Sequence, residues 1–299
     1  MAAARPPAST VVGLVVAVAA VSSAAILIRK ADAPALAIAF WRTAGGAAVL
    51  APFAWRQRHR LAGRARPITA SGVALGLHFA LWVGSLSFTT VASSVTLVTM
   101  SPLVVGIGSA ALLNERPDRR TWIGMAVTMT GAIVIGVADF TDVELGGRAL
   151  LGDAMALGGM VAVTGYLLIG RALRRDGLPT SVYAAAVYGV AAVALLAACA
   201  VTTTPIVGFS GGTWLALAGL VVGPQLLGHT VFNNLLDRLT ATVVSITVLA
   251  EPIGSTLLAW WLLAELPPAL FWAGSPLILA GVFVATVRTR KEAPAPLTA

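Results

Sequence analysis

Cysteine occurs once in the chain, as Cys199 inside an apolar run, which excludes a disulfide framework and a thiolate metal cluster. Histidine occurs three times, as His59, His78 and His229. No His-Glu-x-x-His, no paired aspartate cluster and no glycine-rich cofactor or ATP-binding loop accompanies them. No metal, no cofactor and no catalytic residue is therefore expected, and an ATP-driven pump would need a second chain. Gly208-Phe209-Ser210-Gly211-Gly212 matches Gly-x-Ser-x-Gly, but it falls in a short connection and not in a strand-to-helix elbow. Lysine is confined to Lys30 and Lys291 while alanine is abundant, a bias of GC-rich bacterial genomes. Charge is also scarce: 11% of the 299 residues are charged, 58% are hydrophobic, and mean hydropathy is +0.89. A soluble domain has no use for so much apolar surface, whereas helices facing lipid do.

Ten apolar runs of about 18–25 residues stand out, each enough to cross a hydrocarbon core. They cover approximately 10–28, 35–55, 68–88, 91–113, 121–138, 150–170, 181–202, 212–234, 240–263 and 269–287. The first ends in Arg29-Lys30 and not in a small-residue cleavage site, so it reads as a mature helix and not as a signal peptide. An all-α integral membrane protein of ten helices follows, because lipid cannot satisfy an open backbone. The net charge of +8 resides in the short connections. It reads as an orientation signal, with the lipid bilayer and not nucleic acid as partner. With the N-terminus inside, one side collects Arg5, Arg56, Arg58, Arg60, Arg64, Arg66, Arg116, Arg119, Arg120, Arg171, Arg174, Arg175, Arg238, Arg288, Arg290 and Lys291, and the other only Arg29, Lys30 and Arg148. That bias places both termini in the cytoplasm of a bacterial inner or plasma membrane.

The chain also repeats itself. At a constant offset of 150, Pro102 falls on Pro252, Glu115 on Glu265, Pro117 on Pro267, Trp122 on Trp272, Gly124 on Gly274 and Gly131 on Gly281. Coincidences among Pro, Glu, Trp and Gly at one spacing divide the chain into two repeats, 1–148 and 149–299. Five spans per repeat is an odd number, so the second repeat enters the membrane from the opposite side. Inverted repeats are a signature of secondary transporters that work by alternating access.

These residues also carry a resemblance. Ser22-Ser23, Phe40-Trp41-Arg42, Gly152-Asp153, the run LTATVVSITVLAEPIGSTLLAWWLLAE over 239–265 and the Glu-x-Pro pair at 115 and 265 resemble, in order and spacing, a ten-helix EamA-type member of the drug/metabolite transporter superfamily. The resemblance implies two EamA repeats and export or exchange of small metabolites, often amino acids or related compounds and sometimes drugs, without implying a particular substrate. The chain departs from it at Val243, where many relatives carry a basic residue, which speaks against an anion-binding role there.

Ionisable and polar groups inside apolar runs are functional candidates by default. Glu251 stands mid-way along the ninth span beside Pro252, with Pro102 its twin; both prolines are expected to kink their helices and free a carbonyl. Glu251, His78 and His229 are candidate proton carriers. His78 and Trp82 lie one turn apart in the third span, and Gln225, His229 and Asn233 recur every fourth residue in the eighth. Two polar stripes on counterpart helices suit a midplane cavity for a small-molecule substrate. Arg42, about 10 Å below the outer surface at 1.5 Å per residue, serves either a structural pair or a substrate carboxylate. Tyr166 is a further candidate for the wall, with Thr164, Ser22 and Ser23 ranked below it. Glu115 and Glu265 read as loop pins before prolines. The function expected is a secondary transporter exporting a small amphipathic metabolite, with proton coupling to Glu251 or a histidine. An uncoupled facilitator or exchanger of the same fold is the alternative. An intramembrane lipid-modifying enzyme is the alternative of another class, and it would need clustered ligands that the chain lacks.

Overall fold

The computed structural model describes residues 7–140, 146–267 and 269–286. Arg5, Arg288, Arg290 and Lys291, which the orientation argument counts, lie outside the described residues. Among the described residues the chain is helical throughout, without strands. Eight helical runs are long and apolar enough to cross a membrane. The first is α1 (Ala8–Ser22) with α2 (Ala24–Lys30); α3 (Ala35–Trp55) and α4 (Ala65–Ser85) follow. The fourth is α5 (Val91–Thr99) with α6 (Pro102–Leu112). After α7 (Arg119–Phe140) come α8 (Gly146–Arg175), α9 (Thr180–Val201), and α10 (Gly211–Leu220) running through a π-helical stretch, Val221–Thr230, into α11 (Val231–Leu235). The eighth joins α12 (Ala241–Val248) to α13 (Glu251–Leu263), and α14 (Phe271–Thr286) is a shorter apolar helix. Large apolar side chains such as Leu215 and Phe283 point outward, as a surface solvated by lipid requires.

Each interruption has a cause in the sequence. Pro102 and Pro252 lack the N–H that would bond one turn back, so the helix stops and restarts there and does not merely kink. In the first run, Ser22 and Ser23 hydroxyls donate to the carbonyls of Val18 (2.8 Å) and Ala20 (2.7 Å), a local competition that bends helices. α8 continues through Arg171, Arg174 and Arg175, which the sequence reading places in a connection. Arg171 and Arg174 extend the buried face by one more turn, while Arg175 is exposed.

The duplication recurs in backbone detail. Thr90 caps α5 by accepting from the Ser93 N–H at 3.0 Å, and Thr240 caps α12 from the Val243 N–H at 3.3 Å. Asn114 and Ala264 both take left-handed backbone, at φ 55° and 58°. The next residues, Glu115 and Glu265, donate their N–H to the carbonyls of Ser109 (3.0 Å) and Ala259 (3.3 Å). Both bonds reach back six residues, so the two helices end in the same way, on a left-handed residue that lets the following N–H satisfy a last-turn carbonyl. A Cβ on Gly124 would stand 2.7 Å from the Gly281 carbonyl, and one on Gly131 2.6 Å from that of Gly274. Gly274 and Gly281 are themselves the twins of Gly124 and Gly131, so α7 and α14 touch through the same patch, run antiparallel, and tolerate no side chain at the crossing. Likewise α3 packs on its counterpart α9, while α5 and α6 cross α13 and α12.

Candidate functional site

The crossing of the two broken helices leaves unwound backbone at the centre of the bundle, and a cavity of about 50 Å³ lies there. Ser101 and its twin Glu251 both reach its wall, as do Val21 and Ala24 from the break in the first run. Glu251 is the first residue of α13, where unpaired N–H groups favour a carboxylate. Its carbonyl accepts from the hydroxyls of Ser255 (2.9 Å) and Ser22 (3.4 Å), which hold the break in place. Among the described residues no group hydrogen-bonds its carboxylate.

Opposite in charge and on the same wall is Arg42, fully buried. Its Nε donates to Gln225 Oε1 at 3.1 Å and its Cζ lies 3.8 Å from the centre of the Phe79 ring, a cation–π contact. Nη1 and Nη2 have no protein partner, nor do Trp82 Nε1 and Gln225 Nε2. Buried donors are costly to leave unpaired. Three of them, Arg42 Nη1 and Nη2 and Trp82 Nε1, belong to residues that line the cavity.

His78 and Trp82 share a face as expected, stacked with ring centres 6.0 Å apart. His78 Nδ1 is 3.0 Å from the Gly159 carbonyl. His229 stands 6.2 Å from His78 and 6.3 Å from Tyr166, ring centre to ring centre. The structure thus brings Arg42, His78, Trp82, Tyr166, His229 and Glu251 to one cavity. Gln225 and Asn233 lie behind the wall, Gln225 against Arg42 and Asn233 accepting from the Tyr166 hydroxyl at 2.8 Å. Among the described residues Thr164 bonds its own helix, at Met160.

Some of this was missed in the sequence. The run Gly211–Leu235, from α10 to α11, has 25 residues against 21 in its counterpart α4. The excess is wound as π-helix with i→i+5 bonding, which Thr230 Oγ1 also follows in donating to the Gln225 carbonyl at 3.0 Å. Pro224 was the available signal. Tyr188, mid-way along α9, links Thr230 (3.0 Å) to Asn233 (3.4 Å); with Tyr183 it is one of two tyrosines in an Ala/Val-rich run, which marked it. Phe79 carried no signal beyond adjacency to His78. At about 50 Å³ the cavity has room for a few water molecules, so a metabolite enters only if the helices part.

The profile of the EamA-like transporter family matches residues 8–137 and 150–287. The protein called "Uncharacterized transporter YwfM" from Bacillus subtilis (strain 168) is 25% identical over 298 residues, covering 86% of this chain and 93% of its own. A solved crystal structure superposes with a TM-score of 0.73 at 23% identity, over 94% of this chain and 98% of that one; at that identity it speaks to the fold alone.

Proposed function

The chain belongs to the EamA-like transporter family, and from that premise we propose that it is a secondary transporter exporting a small amphipathic zwitterion, an amino acid or a related compound, by alternating access around the central cavity. One observation carries this reading: a buried guanidinium with two unpartnered Nη groups and a buried carboxylate without a hydrogen-bond donor face the same apolar and aromatic chamber. Arg42 then takes the substrate carboxylate, Glu251 takes its amine or a coupling proton, and Trp82 with the two histidines packs its body. The remaining shape follows from the topology. α7 and α14 are read as the fifth and tenth crossings, and a two-fold axis through their glycine contact, perpendicular to an antiparallel pair that crosses the membrane, lies in the membrane plane. Inverted repeats of that kind let one set of contacts serve both an inward-open and an outward-open state. The charge bias of the connections supports cytoplasmic termini in a bacterial inner membrane.

The test is uptake into liposomes carrying the purified protein, with labelled neutral and aromatic amino acids and lipophilic cations, with and without a pH gradient. Accumulation of an amino acid only under the gradient supports proton coupling. Equilibration independent of it makes the protein a facilitator or exchanger and returns Glu251 to substrate binding or helix geometry. Transport of the cations alone refutes the carboxylate role of Arg42.

A further inference from the structure

Charge fastens one end of the bundle, the end read as cytoplasmic. Arg171 Nη2 lies 2.7 Å from Glu115 Oε1 and its Nε donates to the same oxygen at 2.9 Å, with the two side chains only 12% and 13% exposed. Arg175 Nη1 stands 3.4 Å from that oxygen and donates to the Leu113 carbonyl at 3.1 Å. Arg171 also donates to the Leu236 carbonyl, and Arg174 to that of Asn233 at 3.0 Å. The last turn of α8 therefore ties the end of α6, in the first repeat, to the end of α11, in the second. Those ends have to separate for the cavity to open on that side.

The opposite end carries the same parts. Pro34 and Pro179, 145 residues apart, precede α3 and α9 with matching backbone (φ −59°, ψ 144° and φ −60°, ψ 144°). This register sets Arg29 on Arg174 and Lys30 on Arg175, while Glu265 is the twin of Glu115. α2 packs on α13 as α8 packs on α6. Arg29 donates to the Thr89 carbonyl at the end of the third run, at 3.2 Å. Lys30 and Glu265, however, are exposed, and among the described residues neither has an ion-pair partner. The counterpart of Arg171 is Ile26, so this end has one cation for its glutamate where the other has two.

We propose that Glu115 with Arg171 and Arg175 is the lock of one gate, and that Glu265 with Lys30 is the lock of the other, the two engaging in alternation. The lock with two cations is engaged here, and the weaker one closes only as the first releases. This inference rests on the alternating-access reading but has its own readout. In a Cys199→Ala background, Ser101→Cys on the cavity wall is labelled by a membrane-impermeant maleimide applied from one side of the membrane or the other, without substrate.

Glu115→Gln should move the ratio of outer to cytoplasmic labelling toward the cytoplasm by about fivefold, the scale of one partly exposed ion pair. Glu265→Gln should move it the opposite way. Because Lys30 and Glu265 are exposed, their variants leave the fold intact, and the swap Lys30→Glu with Glu265→Lys should return the ratio to that of the parent. Shifts of the same sign for both glutamates, no shift in either, or a swap that fails to restore the ratio would overturn the locks. If labelling moves as stated while no compound is transported, the gates stand and the substrate reading falls. If transport proceeds with labelling unmoved, the reverse holds.

Discussion

Arg42→Met separates the two roles open to the buried guanidinium. Methionine keeps an apolar stem over Phe79 while removing the charge, the Nε bond to Gln225 (3.1 Å) and the two unpartnered Nη groups. In the empty protein the losses and gains oppose each other. Gln225 Oε1 loses its donor, at about 1–3 kcal/mol for a stranded buried acceptor. Against this, a buried charge whose desolvation the empty site does not offset is gone, and apolar replacements of such charges are often neutral or stabilising. In the double variant with Gln225→Leu the stranded acceptor is removed too, so its melting midpoint without substrate should equal or exceed that of the parent. With substrate the expectation reverses. Hydrogen bonds to a charged group are worth about 1.5–3 kcal/mol, which at about 1.4 kcal/mol per decade is a loss of roughly 10- to 150-fold in apparent affinity. Counterflow exchange in liposomes measures that loss, and a thermal melt with and without saturating amino acid measures the vanished stabilisation. Arg42→Lys should recover only part, because an ammonium cannot offer the planar fork. A large drop in the substrate-free midpoint of the double variant, or exchange at the parent's affinity, would refute the assignment.

Glu251→Gln should abolish accumulation driven by a pH gradient while leaving downhill exchange; loss of both in the liposome assay makes Glu251 a substrate or structural residue. Trp82→Ala and His229→Ala should weaken apparent affinity in counterflow without changing membrane insertion or elution on size exclusion, and unchanged affinity in both removes the proposed chamber. Gly131→Ala sets a Cβ 2.6 Å from the Gly274 carbonyl and should cost about 1–3 kcal/mol. Gly189→Ala meets nothing within 4 Å and should gain about 0.5–1 kcal/mol as a helical glycine replaced. Equal melting midpoints for these two variants would remove the close α7–α14 contact.

What could be read from the sequence was what repeats or alternates on a fixed period. The offset of 150 located the twin prolines, the twin helix ends and the glycines of the α7–α14 crossing before any helix was placed, because these positions answer to local backbone demands that act the same way in both repeats. The chamber was legible in so far as intramembrane polar groups are rare, so that each one stood out. What stayed hidden were relations without a period. Nothing along the chain says that Phe79 lies under Arg42, or that Tyr188 joins Thr230 to Asn233. The spacing of Gln225, His229 and Asn233 suggested one exposed stripe, whereas the π-helical winding turns Gln225 and Asn233 behind the wall and leaves His229 on it. The arginines of α8 looked like loop charges because their heads are polar; the burial of Arg171 and Arg174 and the carbonyl partners of all three are visible only in three dimensions.

The places where the repeats stop matching carry a physical argument of their own. On the proposed alternating-access reading, twin prolines, twin capping threonines and twin glycines serve a scaffold equally sound in two conformations related by the two-fold, so symmetry costs nothing there. A zwitterion has different ends. A chamber with identical groups on both sides of the axis would bind it equally well in either orientation and would give no preference to one access state. The departures are Ser101 against Glu251, Arg171 against Ile26, and a 25-residue π-wound run against a 21-residue α-helix. The first supplies one carboxylate where symmetry would require two, the second gives one gate two cations and the other one, and the third brings Gln225 to Arg42 from a single side. Under the proposed function each would bear on the orientation of a substrate or the balance between two states, the two properties that a symmetric transporter cannot have.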